Sequence, residues 1–115
     1  MKLWIDDVRP APEGYYWVKS VYDAVITIEE TEHLARKPRM LNCNFSIELI
    51  DIDHDAGEYA SRGGDYIKLL DWLEETGRNY PIRIHSANPV GVANMRRIIQ
   101  KNGWKEVFDD LSQMY

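Results

Sequence analysis

The chain has 115 residues, of which 44% are hydrophobic and 29% are charged, and its formal net charge is −5. This length predicts one domain over residues 1–115, and the composition excludes an intrinsically disordered chain. Acidic residues outnumber basic residues by nineteen to fourteen, so there is no basic excess for binding duplex DNA or an anionic membrane. Cys43 is the only cysteine, which excludes an internal disulfide and favours a reducing compartment.

The apolar run after Met1 stops at Asp6. We therefore expect neither a secretion leader nor a membrane span in this part of the chain. Together with the single cysteine, this predicts a cytoplasmic protein, and it leaves the oligomeric state open.

Short apolar or β-branched runs alternate with segments of helical periodicity along the chain. The predicted elements are, in chain order, a strand at 2–5, a brief edge strand at 16–18, a helix from 20 to about 33, a central strand at 44–53, a loop at 54–64, a helix from 65 to 77, a strand at 81–86, a helix from 88 to 103 and a last short strand at 104–108. Strands that alternate with helices predict a small three-layer α/β fold with a mainly parallel sheet, flanking helices and right-handed crossovers.

Capping residues set the expected limits of the three helices. Ser20 is followed three residues later by Asp23, which is typical of a helix start. Asn88-Pro89 combines a capping side chain with a proline in the first turn. Gly77 and Gly103 stand where a helix ends in the left-handed conformation.

Two acidic clusters follow predicted strands. Asp6 and Asp7 come after the first strand, and Asp53-His54-Asp55 comes after the central one. Neighbouring strands lie about 4.8 Å apart, and ligands of open α/β sheets bind at the carboxyl ends of the strands. If these strands are neighbours, the carboxylates can share one divalent ion, Mg²⁺ or Mn²⁺ first, with iron or zinc as alternatives. Asp6 and Asp7 could instead be ordinary turn residues.

The remaining polar residues near these strand ends suggest proton transfer and anion binding. His54, between two aspartates, could be a metal ligand, an acid/base or a solvated loop residue, and His85 could be functional or a buried structural histidine. The turn at 86–91 leads into a helix N-terminus, where Gly91 would let an anion approach closely. Arg9 could clamp a phosphate or be solvated.

The segments at 3–7 and 81–87, together with a central strand that ends in Asp, resemble the response-regulator receiver domain, which has a flavodoxin-like architecture. In that family, an acidic pair after the first strand and an Asp after the third hold Mg²⁺, that Asp is phosphorylated, and a Ser or Thr after the fourth strand contacts the phosphoryl group. The resemblance implies these roles for Asp6 and Asp7, for Asp53 and for Ser86.

Two features depart from a signalling receiver. The lysine expected after the final strand is not evident, because Lys105 precedes Val107-Phe108 and acidic residues follow. Asp51 is an alternative to Asp53 as the acceptor-like residue, because the central strand could end there.

Three motifs, IDDVRP at 5–10, DHDAG at 53–57 and HSANPVG at 85–91, resemble more closely the cyclic-phosphate processing receiver domain. This resemblance implies the processing of cyclic phosphates on nucleotides or RNA ends. The leading hypothesis is a metal-dependent phosphoesterase, and the alternatives are a non-catalytic metal- or nucleotide-binding module and a phosphoryl-accepting receiver. The candidate residues are, for catalysis, His54, His85 and Asp53; for substrate binding, Arg9, Ser86, Asn88 and Gly91; and for the metal, Asp6, Asp7, Asp53 and Asp55.

Overall fold

The computed structural model of the protein describes residues 1–37 and 46–108. Four parallel strands form one sheet in the order β2-β1-β3-β4. The elements are, in chain order, β1 (Lys2–Ile5), β2 (Tyr15–Val18), α1 (Val21–Ala35), β3 (Leu49–Ile52), a 3₁₀ helix (Gly57–Arg62), α2 (Ile67–Glu75), β4 (Ile82–Ile84) and α3 (Pro89–Asn102). The predicted receiver-like α/β fold with a parallel sheet and flanking helices is confirmed. The described residues form two layers instead of the predicted three, because α1, α2 and α3 all pack on one face of the sheet.

The predicted helix caps are present in the structure. Ser20 Oγ accepts a hydrogen bond from the Asp23 amide at 3.1 Å, and Asn88 Oδ1 accepts one from the Gly91 amide at 3.0 Å. Gly103 ends α3 in the left-handed region, with φ 68°. These short-range bonds satisfy amides that the first turn of a helix leaves without partners.

Other predicted limits differ from the structure. α1 runs past His33 to Ala35, and the predicted loop at 54–64 contains the 3₁₀ helix. The predicted last strand is reduced to a single parallel bridge between Glu106 and Ile82. Cys43, the first two residues of the predicted central strand and the tail at 109–115 lie outside the described residues.

The connection between β1 and β2 differs from the other connections in the sheet. It consists of residues 6–14 and contains no helix. The other connections, through α1, α2 and α3, all step in the same direction across the sheet, so right-handed crossovers bring these helices to one face. Contacts of α2 with both α1 and α3 agree with this arrangement.

We call the helix-covered side of the sheet the helical face. Its strand side chains join the buried residues of all three helices in a single hydrophobic cluster. The fully buried strand residues in this cluster are Leu3, Ile5, Ile50, Ile52 and Ile82. Burial of this apolar surface is the main source of folding free energy in such a domain.

We call the opposite side the polar face. The strand register places Trp17, Trp4, Asp51 and Arg83 side by side across all four strands. Asp51 is 0% exposed. The 6–14 connection contacts this side, where the carbonyls of Arg9 and Asp6 accept hydrogen bonds from the indole N–H groups of Trp4 and Trp17.

Candidate metal and phosphate site

The carboxyl ends of β1 and β3 bring three aspartates together. Asp6 and Asp7 follow β1, and the Asp53 amide continues the pairing of β3 by donating to the Ile5 carbonyl at 2.9 Å. One carboxylate oxygen from each of Asp6, Asp7 and Asp53 lies within 4.8 Å of the others. We call this group the acidic cluster. It is the grouping expected from neighbouring strands, and it includes Asp53.

The members of the acidic cluster differ in their electrostatics. Burial favours the neutral form of Asp6, but hydrogen bonds from the Arg9 and Val8 amides and from His85 outweigh it, so the pKa of Asp6 lies below its ordinary value. Burial raises the pKa of Asp7, and repulsion from Asp6 and Asp53 adds to this shift. The Asp6 carboxylate is therefore stabilised as an anion, while the anionic form of Asp7 is disfavoured by burial and by the negative charges next to it.

The donor set of the acidic cluster suits a hard divalent cation. Its atoms are carboxylate oxygens only, and a cation would relieve the repulsion that raises the pKa of Asp7. Mg²⁺ binds through a few carboxylates and keeps positions for water and phosphate oxygens. The residues present therefore fit such an ion.

His85 lies between the acidic cluster and the polar face. Its Nε2 is 2.9 Å from Asp6 Oδ2, and its Nδ1 is 2.6 Å from Asp51 Oδ1. Arg83 Nη1 donates to the other Asp51 oxygen at 2.7 Å. The ring stacks on Trp4 with centroids 3.7 Å apart, and the side chain is only 7% exposed. Both ring nitrogens therefore lie at hydrogen-bond distance from aspartate oxygens.

His54 lies on the other side of the site and has a different environment. Its Nδ1 is 2.8 Å from Asp55 Oδ1, and Asn88 Nδ2 lies 3.4 Å from both Asp55 oxygens. The imidazole packs directly on the start of α3, where a Cβ atom on Gly91 would come within 2.4 Å of His54 Cγ. Asp55 thus contacts the histidine and lies outside the acidic cluster.

The model of the cyclic-phosphate processing receiver domain matches residues 1–101. The chain belongs to this family. No curated protein and no solved structure matches it. None of the described helices in this receiver domain is long and apolar enough to cross a bilayer.

Of the four residues predicted to bind phosphate in the receiver domain, Arg9 and Ser86 lie beside His85, whereas Asn88 and Gly91 contact Asp55 and His54. Ser86 Oγ accepts a hydrogen bond from the Asn88 amide at 3.1 Å, which leaves its hydroxyl hydrogen able to donate. Arg9 is exposed, and its Nη1 donates to the His85 carbonyl at 3.3 Å. The Gly91 amide, expected to face an anion, already donates to Asn88 Oδ1. The structure explains the glycine at 91 by its contact with His54.

Several residues around the site were not predicted. Trp4 and Arg83 hold His85 and Asp51. Gly57, at φ 56°, passes so close to Asp7 that a Cβ atom would lie 2.3 Å from its Oδ2. Strand alternation could have predicted the position of Trp4. Residues two apart in a strand lie on the same face, so Trp4 shares a face with Asp6.

Proposed function

We propose that this receiver domain hydrolyses cyclic phosphates of small nucleotides or RNA ends in a metal-dependent reaction. The observation that carries the proposal is the acidic cluster. His54, which is bonded to Asp55, follows Asp53 directly in the chain. Ser86 follows His85, whose ring contacts Asp6. A divalent ion bound to these aspartates would polarise a phosphoryl oxygen and activate water. Asp6, Asp7 and Asp53 would be its ligands.

We assign proton transfer to His54. Its Nδ1 is oriented by Asp55, and its Nε2 has no hydrogen-bond partner among the described residues. A carboxylate that fixes one imidazole nitrogen leaves the other in a defined position to exchange a proton with water or with the leaving oxygen. In the hydrolysis, the oxygen of water forms a new bond to phosphorus and gives up a proton. One phosphorus–oxygen bond of the ring breaks, and its leaving oxygen takes up a proton.

We assign a positioning role to His85. Both of its nitrogens contact carboxylates, and Trp4 covers one ring face. A ring held in this way fixes the position of the Oδ2 atom of Asp6 within the acidic cluster. Ser86 and Arg9 would hold phosphate oxygens, since a hydroxyl and a guanidinium are suited to that task.

The test is turnover of nucleoside 2′,3′-cyclic phosphates with added Mg²⁺ or Mn²⁺. We expect a phosphomonoester product, loss of turnover on chelation, and a fall of at least about a hundredfold in Asp53→Asn, the scale of losing one electrostatic contact to a reacting group. The matched control is Asp71→Asn, which removes a half-exposed carboxylate of α2 that pairs with Lys68. Asp71→Asn should retain full activity.

Two other results would replace this proposal. No turnover across a panel of cyclic nucleotides, combined with metal-dependent thermal stabilisation, would indicate a binding module. A phosphoryl mass added to Asp53 by a small phosphodonor and Mg²⁺ would indicate a phosphoryl acceptor. The sequence after Phe108 contains no lysine, and a receiver of that kind uses one there.

A further inference from the structure

A groove of about 590 Å³ adjoins the site on the side of β4. Its wall includes the site residues Arg9, His85 and Ser86 and continues to residues that the proposed chemistry does not use. Those further residues include Trp4, Arg96 and Phe108. The groove is therefore continuous with the place where a phosphate would lie.

The far end of the groove combines an aromatic ring with a fixed cation. Phe108 is 58% exposed although it is a large apolar side chain. Arg96 lies 5.6 Å from the centroid of its ring, and Glu106 holds that guanidinium through contacts of 2.9 Å and 2.6 Å. The guanidinium lies over one face of the exposed ring, and another flat, electron-rich ring can stack on the opposite face.

The near end of the groove is positively charged. Arg9 is exposed, and no carboxylate in the described part of the chain forms an ion pair with it. Its only described side-chain bond is the one to the His85 carbonyl. Arg9 is therefore available to pair with an anionic group bound in the groove.

We propose that this groove binds the nucleoside part of the substrate, with the base stacked on Phe108 and the phosphate between Arg9 and the acidic cluster. The inference rests on the proposed function and adds to it a preference for cyclic phosphates that carry a base. The groove volume is within the range of about 300–1,000 Å³ for small-molecule sites. A base also has two π faces and needs no sequence-specific contact to stack.

The experiment compares two ligands that the proposed reaction does not consume, by calorimetry in the presence of Mg²⁺. They are a nucleoside 3′-phosphate and glycerol 2-phosphate, which correspond to products of a nucleoside and a glycerol cyclic phosphate. The wild type should bind the nucleoside compound about tenfold more tightly, which is the scale of one stacked base. Phe108→Ala should remove that difference and leave the affinity for the glycerol compound unchanged. Phe108→Tyr, which keeps an aromatic ring, should retain the preference.

The matched control is Tyr16→Ala, which removes an exposed aromatic side chain from the edge strand β2. It should leave both affinities unchanged. Equal affinity of the wild type for the two ligands would overturn the proposal, and so would an equal loss for both ligands in Phe108→Ala. The experiment measures affinity and not turnover. If the protein shows no turnover, the proposed hydrolysis is rejected, but the affinities still test the preference for a base.

Discussion

The helical face and the polar face of the sheet are built by alternate residues of the same strands. On β3, Ile50 and Ile52 point into the apolar cluster under the helices, while Asp51 between them lies in the row with Trp4 and Arg83. Both faces are tightly packed around β3, since Ile50 and Asp51 are each 0% exposed. The two faces differ in the interactions that stabilise them. The helical face depends on the removal of apolar surface from water, and the polar face depends on the pairing of charges.

The polar face carries the larger desolvation cost. A buried carboxylate is stabilising only when its hydrogen bonds are satisfied, and Asp51 bonds both His85 and Arg83. Removing charge from this face should therefore disturb the site as well as the fold. A change on the helical face should disturb the fold alone.

The largest loss of stability is expected for Ile50→Ala. This fully buried side chain lies in the central strand β3, and such a truncation costs about 4 kcal/mol through lost apolar burial and the cavity left behind. Chemical denaturation measures the change in the free energy of unfolding. Ile26→Ala on the exposed side of α1 is the control and should change it by less than about 1 kcal/mol.

The comparison of the faces predicts that Ile50→Ala leaves Mn²⁺ affinity unchanged in the folded protein. Calorimetric titration below the unfolding transition measures that affinity. A large drop would show that the two faces are coupled through β3 and would contradict the division described here.

A somewhat smaller loss of stability, about 3 kcal/mol, is expected for Asp51→Asn. This change keeps the shape of the side chain but leaves the mostly buried His85 and the partly exposed Arg83 without their anionic partner. Unlike Ile50→Ala, it should also weaken Mn²⁺ binding, because His85 then loses the contact that orients it toward Asp6. Unchanged Mn²⁺ affinity in Asp51→Asn would reduce the polar face to a purely structural element.

The smallest effect is expected at alkaline pH, on the helical face. Burial and a hydrogen bond to Glu32 raise the pKa of Tyr80 from 10.0 to about 12. The phenol therefore stays protonated in the folded chain where the unfolded chain has lost its proton. This contribution to stability is complete below pH 10 and is lost as the pH rises to about 12.

Tyr80→Phe should lower the free energy of unfolding by about 1.5 kcal/mol at neutral pH, the scale of one hydrogen bond to a charged group. It should also flatten the loss of stability between pH 10 and 12. Thermal denaturation of both proteins across this range measures the difference. Parallel curves for the two proteins would mean that Tyr80 does not contribute, and that another buried tyrosine such as Tyr66, whose pKa burial also raises, accounts for the loss.

Local signals made much of the fold predictable. Ser20 and Asn88 start helices through bonds to amides only three residues away, so the sequence alone contains both partners. The acidic cluster was also predictable, because parallel strands end at the same edge of a sheet. Pro10 and Pro12 in the 6–14 connection oppose a helix there, but the effect of this connection on the helical face depends on the strand order.

The contacts of His54 and His85 could not be predicted from local sequence patterns. His85 meets Asp51 because β3 and β4 pair in the register Asp51↔Arg83, and no local pattern specifies that register. The contact of His54 with Gly91 joins the segment after β3 to the first turn of α3, and α2 and β4 lie between them in the chain. A glycine at a helix start has several uses, and anion binding was the one that the sequence suggested.

That contact has a consequence for how the sequence can change over evolution. At 2.4 Å from His54 Cγ, a Cβ atom at position 91 has no room, so a side chain there requires a smaller residue at 54 or a shifted helix. Positions 54 and 91 should therefore vary as a pair among related chains, as residues in direct contact do. A relative that keeps a histidine at 54 should also keep a glycine at 91.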